Sequence, residues 1–269
     1  MDQKERIVIK VGTSTLTHAS GALNLQRIEH LARVLADLHG RGHEVILVSS
    51  GAIAVGVAEL QLGARPTELR YKQAAAAVGQ CNIMHIYDKL FSEYTCSVAQ
   101  ILLTGDDVDD PIRAEHLSNT FSALLEMGVI PIVNENDSVS SAEIETGHNK
   151  VLGDNDTLSA IVARLCGADL LVLLSDIDGL FDADPHVDPD AKLIPTVEEL
   201  TPEIMELAGG SGTWRGTGGM ATKLNAARIA MEGGIEMVIT NGGRMEELYG
   251  LVEGKPIGTR FLPVQRERG

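Results

Sequence analysis

The chain has 269 residues, 44% of them hydrophobic, and a formal net charge of −16. That length supports one large domain or two small ones, and the apolar share supports a sizeable core rather than disorder. The acidic excess argues against a general binder of nucleic acid or of an anionic membrane, and it leaves any anionic substrate to be met by local lysines.

Met1 to Arg6 is charged and runs straight into a short strand, so no signal peptide is expected. No apolar run approaches the roughly 20 residues of a membrane span. Cys81, Cys96 and Cys166 are odd in number and scattered. They match neither a zinc spacing nor a disulfide framework, and reduced thiols in a cytoplasmic protein are expected.

Short apolar runs alternate with helical patterns. Strands are expected at Ile7–Ile9, Val45–Val48, Val98–Leu103, Val129–Val133, Leu170–Leu174 and Met237–Ile239. The runs are continuous rather than alternating, as in parallel strands buried on both faces. Between the first two, Leu25, Ile28, Leu31, Val34, Leu35 and Leu38 recur at helical spacing and stop near Gly40 and Gly42. Further helices are expected over 66–92, 114–127, 156–166 and 222–232, and an Asp- and Pro-rich excursion over 182–195. The alternation implies βαβ units, an α/β fold with a mainly parallel sheet. Ligands of such sheets bind beyond the carboxyl ends of the strands, so the residues there matter most.

After the first strand comes Lys10-Val-Gly12-Thr13-Ser14, where a lysine, a glycine and hydroxyls can reach phosphate oxygens; a surface lysine beside a turn is the other reading. After the second comes Ser49-Ser50-Gly51-Ala52, where Ser50 either donates to a carboxylate or caps a helix. After the fourth comes Asn134-Glu135-Asn136-Asp137, with Asp137 suited to an ammonium group, or alternatively to Asx-turn chemistry. Asp154, Asn155 and Asp156 open a helix, where acidic residues cap, and a kinase-like site also needs an acceptor there to hold lysines. Ser175-Asp176-Ile-Asp178-Gly179 can close a nucleotide pocket, but it lacks the later ligands of a calcium loop. Asp106, Asp107, Asp109 and Asp110 read as a solvated loop and helix cap before Pro111.

Residues 216–223 read Gly-Thr-Gly-Gly-Met-Ala-Thr-Lys, a loop whose backbone N–H groups can approach a phosphate and which feeds a helix N-terminus. It is not a Walker A loop, since no glycine precedes Lys223. His39 and His43 are separated by glycines and make a poor metal pair. No Gly-x-Ser-x-Gly elbow occurs, and no Gly-x-Gly-x-x-Gly follows the first strand, which counts against a Rossmann oxidoreductase.

Taken in order, Lys10-Val-Gly-Thr-Ser, Val48-Ser-Ser-Gly-Ala-Ile, Asn134-Glu-Asn-Asp-Ser-Val, Gly153-Asp-Asn-Asp-Thr-Leu-Ser-Ala and Gly216-Thr-Gly-Gly-Met-Ala-Thr-Lys resemble the amino acid kinase family, from Ile7 to about Phe261. The Asn-Glu-Asn-Asp and Gly-Asp-Asn-Asp strings are similar to its glutamate branch rather than to the acetylglutamate, carbamate, aspartate or uridylate kinases. The resemblance implies a three-layer α/β/α sandwich over 1–262, followed by a charged tail over 263–269; in a departure from many relatives, no PUA domain is expected. It implies phosphorylation of the γ-carboxylate of L-glutamate with ATP and Mg²⁺, opening proline synthesis. By motif, Ser50, Asp137 and Asn155 hold glutamate. Lys10, Ser175, Asp176 and the stretch Thr217, Gly218, Gly219, Met220, Ala221, Thr222 and Lys223 hold ATP. Lys10 and Lys223 stabilise the transferring phosphoryl group while Asp156 orients them; metal ligands are not assigned. A homo-oligomer (dimer or tetramer), inhibition by proline and hand-over to a γ-glutamyl phosphate reductase are implied as well. The stretch Glu145 to Leu152 is longer than the short link of the family and should lie near the substrate loop, so proline sensitivity and glutamate affinity stay open. Two alternatives stay open: a kinase of the same fold acting on another carboxylate, carbamate or phosphate, and a non-catalytic sensor of amino acid or nucleotide.

Overall fold

A computed structural model describes residues 4–139, 154–185, 187–207 and 219–264. In chain order its strands are β1 Arg6–Val11, β2 Glu44–Ser49, β3 Val98–Leu103, β4 Ile130–Glu135, β5 Leu170–Ser175, β6 Thr196–Val197, β7 Glu236–Asn241 and β8 Thr259–Phe261. Its helices are α1 Thr13–Leu16, α2 Leu25–Gly40, α3 Ala52–Glu59, α4 Leu69–Glu93, α5 Gly105–Asp109, α6 Pro111–Glu126, α7 Asn155–Cys166, α8 Pro202–Leu207, α9 Met220–Glu232 and α10 Glu247–Val252. The strands form one sheet in the order β3-β4-β2-β1-β5-β7-β8-β6, parallel except where β7 meets β8.

Both sheet faces are buried, which makes the expected three layers. Successive side chains of a strand point to opposite faces. Ile7, Ile9, Val45, Leu47 and Val172 pack against α2 and α4 through Leu31, Leu35, Ile83 and Tyr87. Val8, Ile46, Val48, Leu171 and Leu173 pack the other way, against α6, α7 and α9 through Phe121, Leu158, Val162 and Leu224. The same period puts Lys10, two residues beyond Val8, on the α7–α9 face.

Capping fixes where the helices start. The side chain of Asn24 accepts from Arg27 N, that of Asp110 from Ile112 N and Arg113 N, and that of Asp154 from Thr157 N. The expected acidic loop before Pro111 is instead the short helix α5, opened by a Thr104–Asp107 capping box, and Asp110 caps α6 as anticipated. The 182–195 excursion is a loop, tied back by a Phe181–Leu193 bridge.

Helices α3 and α4 approach unusually closely. A Cβ added at Gly79 would lie 1.8 Å from the Ala52 carbonyl oxygen, and one added at Gly56 1.8 Å from that of Ala75. Only glycine fits at both positions. Gly79→Ala is expected to lower stability by about 1–3 kcal/mol or more, read as a fall in denaturation midpoint. Because α3 carries Ala52 next to Gly51, the same change should also weaken ligand binding in the cleft that this turn lines.

Candidate active site

At the carboxyl ends of β1, β2, β4 and β5 the sheet opens into a cleft of about 710 Å³. It lies where chain order reverses, β2 on one side of β1 and β5 on the other. In register, Lys10 stands between Val48 of β2 and Leu173 of β5.

The floor of the cleft is a buried charge cluster. Lys10 Nζ lies 2.6 Å from Asp156 Oδ1, and Lys223 Nζ lies 3.3 Å from Asp156 Oδ2. Thr222 Oγ1 donates to the same Oδ2 at 2.8 Å. Lys10 is 7% exposed, Lys223 6% and Asp156 0%, so water screens these charges little. Burial by itself would raise the carboxyl's pKa, but the ammonium groups, Lys10 first and then Lys223, outweigh it and hold Asp156 below the ordinary carboxylate range. Within this cluster two ammonium groups meet one carboxylate, a local focus for an anion in a cleft that Glu135, Asp137, Asp154 and Asp176 also line.

Asp154 and Asp156 divide the two roles that the acidic string allowed: Asp154 caps α7 and Asp156 holds the lysines. Ser50 does not cap α3; its N-cap is Gly51, which takes φ 98°, the left-handed region where glycine pays no Cβ penalty. The Ser50 hydroxyl instead accepts from Asn155 Nδ2 at 2.7 Å. Asn155 Nδ2 also faces Asn134 Oδ1 at 3.2 Å and the Ser49 carbonyl at 3.3 Å.

Asp137 lines the cleft along with Glu135 and Arg65. Its pKa is pushed up to about 6, first by burial and then by the Glu135 charge, with Arg65 working the other way. Asn134 and Glu135, expected just beyond the fourth strand, are its last two residues, paired with Leu102 and Leu103 of β3. Ser175 ends β5 and donates to Asp176 Oδ1 at 3.1 Å, and both line the cleft. Asp178 Oδ1 accepts from Asn241 Nδ2 at 2.8 Å and pairs with Arg244 at 2.9 Å.

The glycine-rich stretch departs from a simple loop. Thr217 and Gly218 lie outside the described residues, as does 145–152. Gly219 is the N-cap of α9, and Met220, Ala221, Thr222 and Lys223 already form its first turn. Met220 is buried in the core, Ala221 is exposed and Thr222 commits its hydroxyl to Asp156 and the Gly219 carbonyl. An anion can therefore be met here by backbone N–H groups of a helix start and by Lys223.

Sequence reading missed Gln80, 8% exposed on α4, which accepts from Asn134 Nδ2 at 2.9 Å. The available signal was a polar residue on the apolar stripe of Ala76, Ile83 and Tyr87. It also missed Arg65, a cleft cation that follows no strand.

A mainly parallel sheet with two buried lysines in a cleft at its switch point is a doubly wound α/β arrangement. The chain belongs to the amino acid kinase family, whose model matches residues 5–241. Among its relatives, a glutamate 5-kinase of Clostridium perfringens is 53% identical over 267 residues, covering 99% of this chain and 98% of its own. One from Clostridium acetobutylicum is 55% identical over 258 residues, covering 96% and 94%, and one from Listeria monocytogenes is 52% identical over 267 residues, covering 99% and 96%. In solved structures the fold is shared with a carbamate kinase from Giardia lamblia bound to AMP-PNP, at TM-score 0.69 and 18% identity over 98% of this chain and all of that one. It is also shared with the UMP kinase of Bacillus anthracis, at TM-score 0.65 and 17% identity over 97% of each chain.

Proposed function

We propose that this chain transfers the γ-phosphoryl group of ATP to the γ-carboxylate of L-glutamate, giving γ-glutamyl phosphate and ADP as the first step of proline synthesis. The observation that carries the reading is the buried Lys10–Asp156–Lys223 cluster, set in the same cleft as Ser50, Asn155 and Asp137. The naming of the relatives above supports glutamate as the acceptor.

A glutamate side chain has a pKa of about 4.3 and arrives ionised, so the reaction needs no general base. A γ-carboxylate oxygen attacks the γ-phosphorus, the bond to the β–γ bridging oxygen breaks, and ADP leaves. Catalysis then rests on positioning and on neutralising charge over the phosphoryl oxygens. Lys10 and Lys223 supply that charge and let two anions approach each other, while Asp156 holds both ammonium groups in place. The first turn of α9, with Thr217 and Gly218 before it, and Ser175 with Asp176 take the nucleotide. Ser50 and Asn155 hold glutamate, and Asp137 accepts its ammonium group.

Mg²⁺ fits this reading as a companion of the nucleotide. Among the described residues no three His, Cys, Asp or Glu side chains converge on one point, and Asp156 is committed to lysines. When bound, the ion would be held by phosphate oxygens and water with at most one or two carboxylates of the cleft, and it would help neutralise the phosphate charge. A dimer or tetramer, inhibition by proline, passage of the labile acyl phosphate to a reductase, a cytoplasmic location and a single catalytic unit over 1–262 belong to the same proposal. Among the described residues no helix is long and apolar enough to cross a membrane.

Mg·ATP and L-glutamate with hydroxylamine test the reading. Hydroxamate from L-glutamate, and not from D-glutamate, N-acetylglutamate or aspartate, supports it. Turnover of another acceptor alone, or nucleotide binding without turnover, refutes it.

Asp137 gives a pH test. Its raised pKa means the charged carboxyl costs folding stability, a cost that grows from the ordinary value of 3.8 to about 6 and is then constant. Asp137→Asn should therefore raise the melting temperature at pH 7.5 and not at pH 3.5. The same change should raise KM for glutamate roughly 10–100-fold, the worth of a hydrogen bond to a charged group. The wild-type kcat/KM for glutamate should fall on the acid side of about pH 6 as Asp137 protonates. An unchanged KM in the variant removes Asp137 from the substrate site.

A further inference from the structure

We propose that Gln80, which does not itself line the cleft, is a positioning residue that anchors a buried hydrogen-bond chain fixing the polarity of the acceptor site: Ser50 as hydroxyl donor and Asn155 as oxygen acceptor. The inference rests on the glutamate reading above and names residues that decide how that substrate is read.

Amide side chains can turn either end toward a neighbour, so their polarity has to be set by groups that cannot turn. Two backbone groups do this here. The Glu135 N–H donates to Asn134 Oδ1 at 2.9 Å, so the Asn134 oxygen faces that side and its Nδ2 faces Gln80. The Ser49 carbonyl accepts from Asn155 at 3.3 Å, so the amide nitrogen of Asn155 faces inward. Both assignments agree at the point where the residues meet, Asn155 Nδ2 against Asn134 Oδ1 at 3.2 Å.

The consequences run to the cleft. Gln80 must present Oε1 to Asn134, since its own nitrogen there would set donor against donor. Both protons of Asn155 Nδ2 are taken by Ser50 Oγ, Asn134 and Ser49. Ser50 Oγ is therefore an acceptor on the inside, and its single proton is left to donate to a carboxylate. Asn155 Oδ1 makes no hydrogen bond among the described residues and is the acceptor that remains for an ammonium N–H. An amino acid brings one group of each kind. Gln80 and Asn134 are 8% and 3% exposed, so no water replaces a missing partner at low cost.

Gln80 acts through Asn134 and Asn155, so the test separates an acceptor role from a packing role. Gln80→Met keeps the length and apolar stem and removes the acceptor; Gln80→Glu keeps an oxygen at that position. With L-glutamate, Gln80→Met should raise KM for glutamate at least tenfold, with kcat within threefold and KM for ATP unchanged. Gln80→Glu should stay within threefold of wild type. Ser50→Ala added to Gln80→Met should raise KM by less than the product of the two single effects, because both changes remove the same oriented hydroxyl. An unmoved KM in Gln80→Met, an equal defect in Gln80→Glu, or multiplying effects in the double variant overturns the chain. Absence of L-glutamate turnover by the wild type overturns both readings, whereas wild-type turnover with any of those three results overturns this one alone.

Discussion

Lys10→Met is expected to lower kcat about 10²–10³-fold, and Lys223→Met by a similar factor, with KM for glutamate changed far less. The lysines occupy the floor of the cleft at 7% and 6% exposure, where an ammonium acts in a low effective dielectric. Charge on the phosphoryl oxygens spreads as the bond to ADP lengthens, so a fixed cation binds that state better than the ground state. Methionine preserves length and packing, so fold and nucleotide access should survive. The two effects should be less than multiplicative in the double variant, since Lys10 and Lys223 share one counter-ion, Asp156. A kcat near wild type in either variant defeats the assignment.

Asp156→Asn is expected to be the most destabilising single change at the site. It leaves two ammonium groups buried together with no carboxylate between them, and breaking a buried pair in this way costs about 3–5 kcal/mol. For a domain of this size that is a Tm fall of roughly 6–20 °C. The wild-type carboxyl is held below its ordinary value of 3.8, so the stabilisation is fully present above that pH and is lost only as pH falls through the lower folded value. The gap between wild type and variant should accordingly persist at pH 5 and close only in stronger acid. Mg·ATP should raise the variant's Tm by more than it raises that of the wild type, because phosphate oxygens supply the missing negative charge. A variant as stable as wild type, or one that ATP stabilises no better, would show that the lysines are not held by Asp156. Activity should fall with the loss of their fixed positions.

Several features were legible without coordinates because they depend on near neighbours in the chain. The central strands show as unbroken apolar runs, and β1, β2 and β5 fall where Ile7–Ile9, Val45–Val48 and Leu170–Leu174 place them. Asp110 before Pro111 and Asp154 three residues before Thr157 carry cap chemistry in their spacing. Other elements gave no such signal. Strands β6 and β8, two and three residues long, are too short to show a pattern. Helix α3 holds a glycine that reads locally as a breaker, yet Gly56 is what lets α3 lie against the α4 backbone. The last residues of β4 are polar, and Asn134 and Glu135 are extended because β3 pairs with them.

Fold class, the strand ends where chemistry gathers and the residue types available there follow from local sequence, because apolar periodicity, caps and glycine placement act over a few residues. Which of those residues meet depends on how the layers and strands are assembled. Lys10 and Lys223 reach one carboxylate because β1 lies between β2 and β5 and because α7 and α9 cover the same face of the sheet. Gln80 became visible as a partner of Asn134 only once α4 was laid along the opposite layer. Charge pairing and amide polarity depend on partners distant in the chain, which strand order and register bring together and which no local pattern encodes.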